Sequence, residues 1–321
     1  MKRFKQVETR LLLFLISGIL LLSIGFISCG TGPQTKTTAP DKGAYAVDFN
    51  DAPSELGFID VGGTIESMAG LTEFTIEAWV MRNTSSTLNG GIFSRSTGNE
   101  SDGNYAGISL YILGNRPRLK MSSGGYVAAT TTAALTNGSW THIAVVLAPA
   151  HTAADHGTTA TCTSTIRGQS PHLDIYINGT FNQCASASYP QAFEYNERIG
   201  RLHSNVDSMP INTKLKAVID EVRFWKEART ESQIQTWMNK EINETNWNQA
   251  NPNNALIGYW KLNEGAGSTI VDSSGKGKGG IKYYCDCVNY VCTDSEGAII
   301  DCESGGNYIL WDDGWEAGKS F

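Results

Sequence analysis

Charge is scarce in this sequence, and helical periodicity is nearly absent from it. Asp, Glu, Lys and Arg make up 18% of 321 residues. Only Thr230–Ile242 keeps apolar residues at helical spacing (Ile234, Trp237, Met238, Ile242), behind Thr230 and Gln233 in a capping-box pattern. A helical bundle is thereby excluded. A basic excess is also lacking: the net charge of −7 disfavours nucleic acid or anionic lipid as a partner. Recognisable catalytic devices are missing as well. No Gly-x-Ser-x-Gly elbow occurs, the nearest run being Gly168 to His172 around Ser170. The glycines at 275, 277 and 279 alternate with lysine but are not followed by the helix that a phosphate loop needs.

What is present begins with an export signal. Lys2, Arg3, Lys5 and Arg10 precede an apolar run from Leu11 to Ile27, the layout of a signal peptide. The run ends Phe26-Ile27-Ser28-Cys29-Gly30, which resembles a bacterial lipobox with Phe26 where Leu is usual. Residues 1–28 are therefore expected to be removed and Cys29 to carry lipid, placing the protein in the bacterial cell envelope, on the outer membrane or cell surface. An uncleaved membrane span is the alternative. Residues 29–43, rich in Thr, Pro and Gly, read as a flexible tether.

Cys29 set aside, six of the seven cysteines remain, an even number that points to disulfides in an exported chain. Cys162 and Cys184 flank a hairpin signal, and a bond between them would stabilise by roughly 3 kcal/mol in the chain-entropy model. Cys285, Cys287, Cys292 and Cys302 are spaced unlike a zinc ribbon and are read as two disulfides.

Between tether and tail, short runs of β-forming residues recur, each bounded by turn residues: Tyr45–Phe49, Phe58–Val61, Phe74–Met81, Ile108–Leu113, Arg118–Met121, Trp140–Leu147, Leu173–Ile177, Arg198–Arg201, Leu215–Trp225 and Leu256–Leu262. In Phe74–Val80 the set Phe74, Ile76, Ala78 and Val80 should face a core. The mixed set Thr75, Glu77 and Trp79, with Trp140, His142 and Ala144, is expected to form part of a concave surface, while Trp79 and Trp140 themselves are read as packing residues. Asn178-Gly179 predicts a type I′ hairpin turn. Leu215–Trp225 reads as a strand broken at Asp220 and Glu221 and followed by the helix.

FTIEAWVM at Phe74, WTHIAVVL at Trp140, LDIYINGTF at Leu173, RIGR at Arg198, AVIDEVRFWKEART at Ala217 and GYWKLNEGAG at Gly258 stand in the order seen in concanavalin A-like domains of the LamG type. The resemblance covers about residues 44–280. It implies an all-β fold, a jelly-roll-like antiparallel sandwich with one short helix, followed by a Cys-rich tail at 281–321. Departures are the long connection Ala148–His172 and the tail itself.

The resemblance also implies a structural calcium at Asp220, with Asn50 and Asp51 as further oxygen donors; the alternative is that Asp220 caps a bulge. The E-x-D-x-x-E signature of laminarinase-like relatives is absent, the nearest run being Glu100-Ser101-Asp102 with Tyr105 in the last acidic position. His151, Asp155 and His156 in the long connection read as a solvated loop. The expected function is non-catalytic binding of a glycan or an extracellular protein through loop residues such as Tyr105, Tyr126, Tyr189 and Tyr195. A divergent glycoside hydrolase or lyase and a structural adhesion or envelope-assembly module are the alternatives.

Overall fold

A computed structural model describes residues 45–50, 57–61, 71–83, 85, 87–97, 105–122, 125–149, 171–190, 197–202, 209, 213–276, 279–285, 308–310 and 315–317. Cys29, Asp51, Cys162, Cys287, Cys292, Cys302, Tyr195 and the segment from His151 to His156 lie outside them. In chain order the strands are β1 (Tyr45–Asp48), β2 (Phe58–Asp60), β3 (Phe74–Met81), β4 (Gly90–Thr97), β5 (Ala106–Leu113), β6 (Arg116–Met121), β7 (Tyr126–Ala128), β8 (Trp140–Ala148) and β9 (His172–Ile177). There follow β10 (Thr180–Ser186), β11 (Arg198–Ile199), β12 (Val218–Trp225), β13 (Leu256–Trp260), β14 (Thr269–Ile270), β15 (Gly280–Cys285), β16 (Tyr308–Leu310) and β17 (Trp315–Ala317). Helices α1 (Glu231–Trp237) and α2 (Trp247–Ala250) sit between β12 and β13.

Two antiparallel sheets form a sandwich. The first runs β10-β9-β8-β3-β12-β1-β17, with β13 also on β12; the second runs β14-β15-β2-β11-β4-β5-β6-β7, with β16 on β15. The alternation read in the sequence decides which residues meet between them. Ile76, Ala78, Val80, Val145 and Phe224 from the first sheet pack with Ile59, Phe93, Ile108, Leu119 and Ile199 from the second, all at most 1% exposed. Burying such side chains stabilises by about 1.5–3 kcal/mol each, so this interior dominates the stability.

Local chemistry sets the connections. Asn178 and Gly179 both take positive φ, 52° and 74°, as a type I′ turn between β9 and β10 requires. The polar break in β12 is a bulge: Asp220 pairs with Trp79 and Arg223 with Glu77, and the register slips between them. Glu221 there has φ 53°, a strained conformation for a non-glycine residue that turns its carboxylate to the outer side of the sheet. Thr230 caps α1, its hydroxyl accepting from Gln233 N while Thr230 N donates to Gln233 Oε1. The helix ends at Trp237, shorter than the periodicity to Ile242 suggested.

Strand β15 crosses the boundary drawn at Gly280, pairing Ile281 with Asp60 and Lys282 with Ile59. Strands β16 and β17 add to the second and first sheets respectively.

Candidate functional site

The two sheets each have an outer side, and the charged side chains divide between them. On the first sheet, the mixed residues of β3 and β8 do not form part of an open surface, as the alternation suggested. They are covered: Thr75 is fully buried, Glu77 is 1%, His142 2% and Trp79 5% exposed. Above them lie α1 and the segment that follows it. Trp79 Nε1 donates to Met238 O (2.7 Å), and Arg223 donates to Trp237 O (3.0 Å) and Lys240 O (2.8 Å). A guanidinium is thus placed on the carbonyls at and beyond the helix C-terminus, where a cation is favoured.

Under this cover the charges are matched. Glu77 accepts from Trp225 Nε1 (2.5 Å) and faces His142 Nε2 (3.2 Å). Glu221 accepts from Arg223 (2.5 Å) and from the Tyr259 hydroxyl (2.6 Å). Arg229 bonds Glu227 (2.9 Å) and Ala250 O (3.2 Å), with its guanidinium 3.8 Å from the Trp225 ring centroid. Burial alone would raise the Glu77 carboxyl. The hydrogen bond and charge of His142, with Arg223 and Arg229, reverse that and hold its pKa at about 2. Glu77 and Glu221 are two acids on one face, but each is enclosed and committed to fixed donors. The arrangement is a seal that pins a helix to a sheet.

The outer side of the second sheet is built differently. Residues directly opposite on paired strands share a face, and the register runs Tyr126, Lys120, Ser109, Ser94, Arg198, Asp60 across β7, β6, β5, β4, β11 and β2. Beside this row Ser96 joins Ser94 (3.0 Å) and Ser109 (3.2 Å) in a hydroxyl cluster. The Tyr105 hydroxyl donates to Ser109 Oγ (3.2 Å). Burial raises the Tyr105 pKa, the serine hydrogen bonds only partly offsetting it, so this phenol stays a neutral donor. Arg198 and Arg201 lie over the Phe58 ring at 4.7 and 5.0 Å, a cation–π arrangement.

Strand β6 adds Arg116 and Arg118 to Lys120 on this face, each half-buried, while Pro117, Leu119 and Met121 point inward. The Arg118 guanidinium donates to the Tyr126 hydroxyl (2.9 Å). Ser94, Ser96 and Ser109 are fully buried, whereas Lys120 and Arg118 are half-buried and Tyr126 is 38% exposed. The row therefore rises from a buried floor to solvent at β6 and β7.

Of the candidate tyrosines, Tyr105 and Tyr126 meet on this face around Lys120. Tyr189 is exposed beyond β10, at the edge of the other sheet. Of the residues singled out for calcium, Asp51 lies outside the described residues, and Asn50 and Asp220 both carry hydrogen bonds. Asn50 donates to Asp48 (2.7 Å) and to Asn83, and Asn83 donates to Asp48 Oδ2 (2.6 Å). Asp220 Oδ1 accepts from Glu221 N (2.9 Å), the geometry of a bulge cap. Among the described residues no three His, Cys, Asp or Glu side chains are grouped to hold a metal. Cys184 is disulfide-bonded, and the side chain of Cys285 is not among those described. Ser94, Ser96, Arg198 and Arg201 were not singled out in the sequence; the signal that could have found them is the outward set of β4, hidden in a Gly- and Ser-rich run.

The family model for the concanavalin A-like lectin/glucanases superfamily matches residues 59–235. The chain belongs to that superfamily. Among solved structures it is similar to a Bacteroides ovatus protein proposed to bind carbohydrate, with 18% identity over 76% of this chain and a TM-score of 0.47; the chain spans 59% of that protein's length, less than two thirds. It is also similar to a heptameric SAP-like pentraxin from Limulus polyphemus, with 14% identity, 62% of this chain and 83% of that one covered, and a TM-score of 0.39. Domain 4 of an extracellular arabinanase from Geobacillus stearothermophilus, in complex with arabinotriose, is 16% identical, with 60% of this chain and 96% of that one covered and a TM-score of 0.36. No curated protein matches the chain.

Proposed function

We propose that this superfamily member is a non-catalytic glycan-binding module held to the bacterial cell envelope by lipid on Cys29. The observation that carries the reading is the row of Tyr126, Lys120, Ser109, Ser94, Arg198 and Asp60 across six strands of one face. Sugars present hydroxyls and an apolar ring face. A surface that recognises them therefore needs fixed donors and acceptors beside an aromatic. Tyr126 at the open end supplies the aromatic, Lys120 and Arg118 supply donors, and the serine cluster with Tyr105 holds the floor in place.

Strands of the same sheet carry these groups, so their spacing is set by the ladder at about 4.7–4.9 Å per strand. A rigid platform of this kind loses little entropy on binding. Hydrolysis of a glycosidic bond by paired carboxylates requires two acids at the sugar. The sequence lacks the E-x-D-x-x-E run of laminarinase-like relatives, which favours binding without cleavage.

The test is a screen of the protein against oligosaccharides, by calorimetry and by assay for released reducing ends. Binding without release is expected, and Tyr126→Ala should weaken it. Release of sugar by the purified protein would overturn the non-catalytic reading, and silence across the glycan panel would overturn the binding one.

A further inference from the structure

One edge of the sandwich is formed by β7, at the end of the second sheet, and β10, at the end of the first, and these two strands are fastened to each other. Thr130 N donates to Asn182 Oδ1 (2.9 Å), and Asn182 Nδ2 donates to Thr130 Oγ1 (3.3 Å). At Gly125 the approach is so close that a Cβ would stand 3.1 Å from Leu173 Cδ1 and 3.4 Å from Ala187 Cβ. Glycine there lets the turn before β7 press against the first sheet. Tyr126 follows Gly125 directly, and Tyr189 lies two residues beyond Ala187. Both tyrosines are thus tied to that contact by three Cα steps in all, about 11 Å of backbone. We infer that this seam holds a neutral glycan chain of several sugars, laid across both tyrosines, rather than a single sugar; this rests on the glycan-binding reading and names the class of ligand for it.

Exposure supports the inference. Among the described residues the exposed large apolar side chains are Tyr126, Tyr189, Val271 and Ile281, and both tyrosines of that set belong to the seam. Tyr126 is 38% and Tyr189 43% exposed, so ring surface remains for a ligand to cover. Stacking against the apolar face of a sugar uses the ring and asks for no vacant hydrogen-bonding group. The Tyr126 hydroxyl keeps its bond from Arg118 (2.9 Å), which holds that ring in place. Tyr189 stands between Ala187, whose N donates to Pro171 O (2.9 Å), and the buried Pro190. An aromatic side chain has two χ angles to fix, so it offers contact area at a small loss of entropy.

Composition supplies the class. Residues 121–141, which carry β7, and residues 175–190, which carry β10, contain no Asp, Glu, Lys, Arg or His. Arg118 and Lys120 sit one strand in from this edge, on β6. Along the seam itself a ligand meets hydroxyls and an amide, with Ser186 and Ser188 exposed and Asn182 half-buried. An ionic ligand would find no matched charge there, whereas a neutral sugar chain needs none. Because the two tyrosines come from different strands, one chain that reaches both turns the second contact into an intramolecular one, and its affinity grows with its length.

The test titrates the whole chain by calorimetry with cello-, xylo- and manno-oligosaccharides, each from the monosaccharide to the hexasaccharide. In at least one series the hexasaccharide should bind about tenfold more tightly than the disaccharide, with little dependence on salt. This length series uses the unaltered protein and needs no variant to fold. Tyr189→Ala should leave the Tm unchanged and weaken hexasaccharide binding about tenfold, whereas Tyr189→Phe, which keeps the ring, should bind as the unaltered protein does. Affinity that stays level from disaccharide to hexasaccharide, or hexasaccharide binding undiminished in Tyr189→Ala, would overturn the seam while leaving glycan binding intact. Equal losses in Tyr189→Ala and Tyr189→Phe would also overturn it, by assigning the contact to the hydroxyl. Binding that salt abolishes, or that is confined to acidic members of the wider oligosaccharide panel, would overturn the neutral class. Absence of binding at every length, and across the wider panel, would remove both readings together.

Discussion

On the outer side of the first sheet, Glu77, Glu221, Arg223 and Arg229 are enclosed and bonded to one another or to backbone carbonyls. On the outer side of the second, Arg118 and Lys120 reach towards solvent from a floor of serine hydroxyls. Both faces are polar, but they use polarity for opposite ends. Buried charges are set against opposite charges because each unpaired one would cost several kcal/mol; they fix α1 against β3, β8 and β12. The half-buried Arg118 and Lys120, standing over the buried serines, keep part of their hydration and cost little. The difference teaches that a charge cluster is judged by its cover as well as by its composition: the face that carries Glu77 and Glu221 is the sealed one.

The variants that would break or sharpen this contrast can be ranked. Glu77→Gln should be the most damaging, because it removes the buried carboxylate that faces His142 and that Arg223 and Arg229 also attract; a loss of about 3–5 kcal/mol in denaturant unfolding at neutral pH is expected. A loss as large from Arg118→Gln on the opposite face would erase the distinction.

Acid should act on the same group. The folded pKa of Glu77, about 2, lies below its ordinary 4.5, so its contribution is complete above the unfolded value and fades as pH falls from 4.5 towards 2. That contribution is on the order of 3 kcal/mol, and in Glu77→Gln the dependence of stability on pH across this window should flatten.

Thr230→Ala removes the α1 cap and should cost about 1 kcal/mol while leaving glycan affinity unchanged, since the helix covers the other face. Lys120→Gln should shift stability by no more than about 0.5 kcal/mol yet weaken glycan binding several-fold.

The strands of the core were legible where side chains alternate strongly. Phe74–Met81 occupies the span read from its sequence, and Trp140 and Leu173 open runs that differ from β8 and β9 by one residue. The capping box and the type I′ turn were legible because each follows from two residues in fixed positions. Strand β4 was not. Gly90, Gly91, Ser94, Arg95 and Ser96 were not among the runs read as strands, yet the glycines are needed because a Cβ at Gly91 would collide with the backbone of Arg201 and Leu202. The serines carry no β-propensity signal because their side of the strand belongs to the polar face.

The site was missed for the same reason. Tyr105 and Tyr126 stood out as aromatics, but nothing in their spacing placed Lys120 between them, since that depends on the pairing of β5, β6 and β7. The cover over Glu77 and His142 was equally unreadable, because α1 reaches β3 only through contacts such as Trp79 with Met238, more than 150 residues apart in the chain.

Hydrogen–deuterium exchange of the whole chain, with and without a saturating oligosaccharide from the binding screen, tests the division of the two faces most directly. Added protection on β4, β5, β6, β7 and β11, with β3, β8 and α1 unchanged, is the predicted result. Protection concentrated on α1 and the strands beneath it, with β6 and β7 unmoved, would contradict the account.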